Sequence, residues 1–288
     1  MNLEATFGTR RPIVGMVHLP PLPGSPGAGD AEIGSVVEGA LADARALEAG
    51  GVDGLLVENF GDAPFYPDDV PKHTVAAMTR VASAVVREVD LPVGINVLRN
   101  DAAAALAVAT AVGGAFVRVN VHTGARVTDQ GIIEGRAHET LRLRERLAPG
   151  DGDDADGDAD SREAGGRVAI WADVDVKHSA RLGEGSLRQD VSEAVERGLA
   201  DAVVVSGPAT GAEVEATALR GVLDALEALD RSVPVIVGSG VSSDDVADLL
   251  ADADGVIVGT ALKEGGETTA PVSETRVASL VDRADEVR

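Results

Sequence analysis

Four of the five histidines, His18, His73, His122 and His178, follow short apolar runs where a buried segment gives way to a polar loop, and only His138 sits inside a helical stretch. The three lysines, Lys72, Lys177 and Lys263, fall in the same kind of position. In a chain that otherwise avoids lysine, this placement gathers titratable groups on one face. Loops are polar in general, however, and that alone accounts for any single member. A second set lies at the ends of the same runs: Glu58, Asn59, Asn96, Arg118, Asn120, Asp173 and Asp175. Asn120 alternates with His122, and Asp173 with Asp175, so each pair points one way if its strand continues. Charged groups in strands buried on both faces need partners. Arg118 therefore reads either as half of a structural ion pair with Glu58 or Asp173, or as a substrate contact. Asp173, Asp175 and His178 match no specific metal-ligand spacing, and no metal is expected. Lys177 has the chemistry for a Schiff base, but nothing around it marks it as desolvated.

Two glycine-bearing segments suggest an anion. Gly238-Ser239-Gly240 and Gly259-Thr260 each follow a late apolar run, and small residues let backbone N–H groups approach a phosphate at a helix start. Two tight turns that need clearance would look the same. Between Val119 and Arg136 runs a long segment rich in donors and acceptors, including Thr123, Asp129, Gln130 and Glu134. A loop of that length in a compact domain is often a lid or binding loop, and Asp129 is its candidate acid.

The elements that must position these groups are eight apolar, β-branched runs: Ile13–His18, Gly54–Glu58, Val93–Val97, Ala115–Asn120, Val168–Val174, Ala202–Ser206, Val235–Gly238 and Gly255–Gly259. Near-continuous apolar runs suit parallel strands covered on both faces. Stretches with helical spacing separate them, such as Val36–Ala49, Thr74–Arg87, Asp101–Ala111 and Ala137–Leu147, and Val272–Val287 closes the chain. Eight strand-helix units predict a (β/α)8 TIM barrel of one α/β domain over residues 1–288, whose site lies at the strand C-terminal ends. An open doubly wound sheet would show a glycine-rich turn after its first strand, and here that segment reads HLPPLPG. An acidic insertion interrupts the pattern at 150–166. Its first part, GDGDDADGDAD, has six aspartates and no large apolar side chain, so a solvated, disordered loop on the face opposite the site is expected. A calcium loop would need an acid five residues before Gly157, where Gly152 stands.

Composition narrows the partners. With 48 acidic against 25 basic residues the formal net charge is -23, which repels nucleic acid and anionic membranes. Aromatics are only 2% of the chain, so Val, Ala, Leu and Ile must fill the core. Abundant Asp and Glu with few lysines resemble a salt-adapted protein; an ordinary acidic protein is the alternative. There is no cysteine, which excludes disulfide and thiolate chemistry. No apolar stretch resembles a signal peptide or a membrane span, and a cytoplasmic location is expected.

The stretches PIVGMVHLPPLPGSP, GVDGLLVENFGDAPF, INVLRNDAAAALA, FVRVNVHTGARVTDQGIIEGRA, WADVDVKHS, VIVGSGVS and GVIVGTALKEGG closely resemble the BtpA/SgcQ family over roughly residues 11–275. The pair VENFGDAPF and VTDQGIIEG is the most specific part. The resemblance implies a phosphate-binding type of barrel and two competing roles: photosystem I biogenesis, or, in salt-loving archaea, nucleoside breakdown through ribose phosphates. Joined to the residues above, the second gives a concrete reaction, the phosphorolysis of a purine nucleoside such as guanosine to free base and ribose 1-phosphate. Gly238, Ser239, Gly240, Gly259 and Thr260 would hold phosphate, which is a co-substrate, with no other cofactor. His18, Asn96, Arg118, Asn120, His122, Asp173 and Lys177 would bind the small-molecule substrate, and Asp129, Asp175 and Glu58 are the catalytic carboxyls. The leaving base would take its proton from Asp129 or Asp175, at a pKa raised by burial. Phosphosugar isomerase or aldolase chemistry through Lys177 or His178 is the alternative enzyme. A non-catalytic assembly factor is the alternative class, and a homo-oligomer is compatible with each.

The charge excess has a direct consequence, because screening by concentrated cations relieves self-repulsion. The melting temperature should rise clearly between millimolar and molar KCl when followed by circular dichroism. An unchanged value would remove the salt-adapted reading.

Overall fold

In the computed structural model, the described residues are 1–148, 167–176, 178–207 and 216–288. The strands are β1 (Ile13–His18), β2 (Gly54–Glu58), β3 (Val93–Asn96), β4 (Phe116–Val119), β5 (Ala125–Thr128), β6 (Gly131–Glu134), β7 (Ala169–Val174), β8 (Ala180–Arg181), β9 (Ala202–Val205), β10 (Val235–Val237) and β11 (Gly255–Val258). Eight of them close a parallel barrel in the order β1-β11-β10-β9-β7-β4-β3-β2. These eight are the apolar runs of the sequence, trimmed by a residue or so at their ends. The insertion at 150–166 and Lys177 lie outside the described residues.

Helices α2 (Ile33–Ala49), α3 (Lys72–Glu88), α4 (Ala102–Val112), α5 (Ala137–Leu147), α6 (Leu187–Ser192), α7 (Ala216–Leu226), α8 (Val246–Asp252) and α9 (Glu274–Ala284) follow the barrel strands. Most turn an aliphatic stripe inward, whereas α5 buries Thr140 and Arg144. In α3, Thr74, Ala77, Met78, Val81, Ala82 and Val85 are buried, at the spacing of a helix face. Among the described residues no helix is long and apolar enough to cross a membrane.

The barrel interior has its own core, separate from the shell between strands and helices. Inward positions alternate along each strand, so Val14 and Met16, Leu56, Phe116, Trp171, Val204, Ile236 and Ile257 fill the lower layers. Phe116 stacks on Trp171 with ring centroids 4.0 Å apart. A further helix, α1 (Leu3–Phe7), closes the N-terminal end: Phe7 packs edge-on against Phe116 at 6.0 Å and tilted against Trp171 at 5.9 Å. Three of the six aromatic residues thus form one bulky plug. Gly94 makes room for it, since a Cβ there would lie 2.3 Å from the Phe116 ring.

One lysine departs from the functional-face expectation. Lys263 is almost fully buried and donates to Asp43 Oδ2 at 2.5 Å, while Asp43 Oδ1 accepts from the Val272 backbone at 2.8 Å. Its role is to tie α2 to the segment leading into α9. Removing one partner of a buried ion pair leaves an uncompensated charge. Asp43→Ala should therefore cost about 3–5 kcal/mol in urea denaturation. Adding Lys263→Met to that variant should recover much of the loss.

Candidate functional site

Above the Met16 layer the inward positions become polar. The β1–β2 and β2–β3 registers set His18 beside Glu58 and Glu58 beside Asn96. The buried Asn96 amide donates to Glu58 Oε2 at 2.6 Å, and His18 Nε2 lies 3.9 Å from Glu58 Oε1. The Phe60 ring covers the His18 imidazole, with centroids 4.7 Å apart.

On the next strand, β4, Arg118 meets Asp173 of the adjacent β7 in a two-pronged pair: Nε to Oδ1 at 2.8 Å and Nη2 to Oδ2 at 3.0 Å. Arg118 Nη2 also donates to Ser206 Oγ at 3.0 Å, and Asn120 Nδ2 donates to Asp173 Oδ2 at 2.7 Å. Burial pulls the Arg118 guanidinium down, but the charge and hydrogen bonds of Asp173, with a contribution from Glu58, outweigh it and leave the group raised. It is a permanent cation in the barrel interior. Of the two partners considered for Arg118, Asp173 is the one it pairs with.

These groups line two cavities. The first, of about 240 Å³, has Met16, His18, Glu58 and Arg118 along its base and Gly238–Ser242 with Gly259–Ala261 along its wall. The glycines have a local reason to be there. A Cβ on Gly238 would lie 2.3 Å from Val204 and 3.2 Å from Arg118 Nη2, and one on Gly259 would lie 2.8 Å from His18. Gly240 adopts a positive φ of 74°, which favours glycine. Ser239 Oγ accepts from the Gly207 backbone at 3.1 Å, and Thr260 Oγ1 bonds Thr268 Oγ1 at 2.9 Å. Both hydroxyls thus serve loop geometry. Arg276 on α9 also lines this cavity, anchored by Nε to the Ala261 carbonyl at 2.7 Å. It lies 16 residues beyond Thr260 with no local motif, and sequence reasoning passed over it.

The second cavity, of about 130 Å³, lies on the other side of the Arg118–Asp173 pair and includes Asn120 and Asp173 in its lining. Its cover is a surprise of the long segment after β4, which forms an antiparallel hairpin, β5–β6, extended by β8. Arg126 and Arg181 are cross-strand neighbours in this flap, and Asp190 on α6 clamps both. Asp190 Oδ2 accepts from Arg126 Nη2 at 2.7 Å and from Arg181 Nη2 at 2.8 Å.

The remaining candidates lie elsewhere. Asp129 stands exposed at the hairpin turn, hydrogen-bonded by Gln130 at 2.5 Å, and lines neither cavity. Asp175 has a half-exposed side chain and pairs with Arg126 at 3.2 Å and Arg181 at 3.3 Å. His122 turns away from the mouth, because β4 ends at Val119 and the strand alternation stops. Its ring bonds through Nε2 to the Gly198 carbonyl at 2.7 Å, and burial pushes its pKa down despite that bond. Among the described residues no three His, Asp or Glu side chains converge as a metal site.

Residues 9–286 match the model of the BtpA family. The photosystem I biogenesis protein BtpA of Synechocystis sp. is 44% identical over 282 residues, covering 98% of this chain and 91% of that protein. An uncharacterized protein of Thermococcus kodakarensis is 47% identical over 279 residues, 97% of each chain. Among solved structures, phosphoribosyl anthranilate isomerase of Thermus thermophilus shares the fold with a TM-score of 0.55 at 11% identity, covering 96% of this chain and 100% of that one.

The placement of His122 gives a pH dependence. Its folded pKa lies below that of the unfolded chain, near 6.5, so the unfolded state binds the extra proton as pH falls between the two. The stability that His122 contributes is complete above about pH 6.5 and declines as pH drops toward the folded value. The urea midpoint should fall between pH 7.5 and 5.5, and His122→Asn, which keeps a donor for Gly198, should show a smaller fall.

Proposed function

The chain belongs to the BtpA family, and from that premise we propose that it is a phosphate-using enzyme that cleaves the N-glycosidic bond of a purine nucleoside, such as guanosine. One observation carries this reading: a buried carboxylate, Glu58, and a permanent cation, Arg118, share a cavity with the Gly238–Gly240 and Gly259–Thr260 loops. Phosphate would lie against those loops, between Arg118 and Arg276. Both guanidiniums offer charge-assisted hydrogen bonds to its oxygens. In a chain with net charge -23, an anion needs such a local positive field.

A phosphate oxygen attacks the anomeric carbon, a C–O bond forms, and the C–N bond to the base breaks with its electron pair leaving on the base. With monohydrogen phosphate the reaction balances: its proton ends on the base nitrogen and ribose 1-phosphate remains. Glu58, held by Asn96, accepts from ribose hydroxyls and offsets positive charge developing at the sugar. The cavity linings favour Glu58 over Asp129 and Asp175 as the working carboxylate. The enzyme therefore needs no acid from the flap tip.

A second reading, assembly factor, draws on the Synechocystis relative, a photosystem I biogenesis protein. The outer face of the flap, where Val127 and Ile132 are exposed cross-strand partners, would serve it.

A screen of nucleosides with phosphate in molar KCl, following free base and ribose 1-phosphate, tests the enzyme reading. Glu58→Gln should lower kcat on the order of 10²-fold or more, and Gly240→Val should raise the phosphate KM with the circular dichroism spectrum unchanged. If well-folded protein cleaves no nucleoside, the phosphorylase reading is lost and the assembly-factor reading leads.

A further inference from the structure

We infer that the second cavity, beneath the flap, is the subsite for the base, and that Asn120 selects bases carrying N–H donors. The inference rests on the phosphorolysis reading and adds to it where the base lies and what recognises it.

Asn120 is 2% exposed and lines this cavity. Its Nδ2 donates to Asp173 Oδ2 at 2.7 Å, which fixes the amide orientation, because an ionised carboxylate only accepts. Asn120 Oδ1 is thereby turned away from Asp173, and this buried oxygen has no hydrogen-bond partner. A buried acceptor left unmade is costly in a folded protein, and such atoms are uncommon. A ligand with a donor would satisfy it.

The rest of the lining agrees on the sign. Arg126 and Arg181 direct their guanidiniums to Asp190 and Asp175. Gln189 donates to Glu193 Oε1 at 2.9 Å. With Glu184 and Glu193 also on the wall, the cavity offers acceptors more than donors and disfavours a second anion. Arg118 lines the first cavity and its ion-pair partner Asp173 the second, so the pair stands between them. A ribose lying over that pair would place its anomeric carbon between phosphate on one side and base on the other. The base that fits bears N–H groups on its edge, as an amino-oxo purine does.

Calorimetry in molar KCl without phosphate tests this on the full chain, with guanosine, inosine and purine riboside as probes. Their base edges carry a ring N–H with an amino group, a ring N–H alone, and no donor. Wild-type protein should bind them in that order, guanosine exceeding purine riboside on the order of tenfold. In Asn120→Leu that ratio should fall toward one, while affinities for purine riboside and for inorganic phosphate stay put. A flat wild-type series overturns the inference without using any variant. So does a folded Asn120→Leu with the ratio intact, or one that weakens all three nucleosides equally, since Asn120 would then be holding ribose. Phosphorolysis with no donor preference defeats the inference and leaves the reaction standing. Donor-dependent binding without turnover defeats the reaction and leaves the inference standing. Binding of phosphate but of no nucleoside defeats both.

Discussion

The mouth of this barrel is organised by one buried ion pair. Arg118 and Asp173 sit on adjacent strands, nearly inaccessible to water, with two parallel hydrogen bonds between them. Neither charge would be tolerable there alone. Their mutual geometry then fixes neighbours on both sides: Ser206 meets the guanidinium, Asn120 meets the carboxylate, and Gly238 must lack a side chain to clear both Val204 and the arginine. The pair is also a partition. It divides the polar mouth into a glycine-walled compartment and a carboxylate-rich one.

The barrel was legible in the sequence because parallel strands covered on both faces leave an unmistakable trace, a short run of Val, Ile, Leu and Ala. Polar residues at the ends of those runs were legible as a set. Their pairing was not, since Arg118 and Asp173 are 55 residues apart and only barrel closure makes their strands neighbours. The alternation that would have placed His122 beside Asn120 presumed a longer β4; the strand stops at Val119 and the histidine turns aside. The hairpin after β4 did leave a signal, in the alternating Ala125–Thr128 and the β-branched pair Ile132-Ile133 on either side of a two-residue turn, but a donor-rich loop is the simpler reading of the same letters. Helix α1 is five residues long, too short for periodicity, and its marks are the Asn2 cap and the left-handed Gly8. The glycines after the seventh and eighth runs were read either for anion approach or as turns that need clearance, and the structure shows the clearance, around Val204 and Arg118 for Gly238 and around His18 for Gly259.

The flap joins parts of the chain that are far apart in sequence. Placing Arg126 directly across from Arg181 is unfavourable by itself, because like charges on facing strands repel. Asp190 relieves that repulsion by accepting from both, and Asp175 adds a second acceptor. The segment after β4, the segment after β7 and the start of α6 are therefore held as one unit over the second cavity. Asp175 has its place in this clamp.

The aromatic plug also sets the polarity of the barrel. With Phe7, Phe116 and Trp171 packed together, the N-terminal end of the interior is closed by rings. Eight strands alone would make a tube with two equivalent ends. Three rings at one end make a floor there, and the polar side chains above Met16 stand at the other.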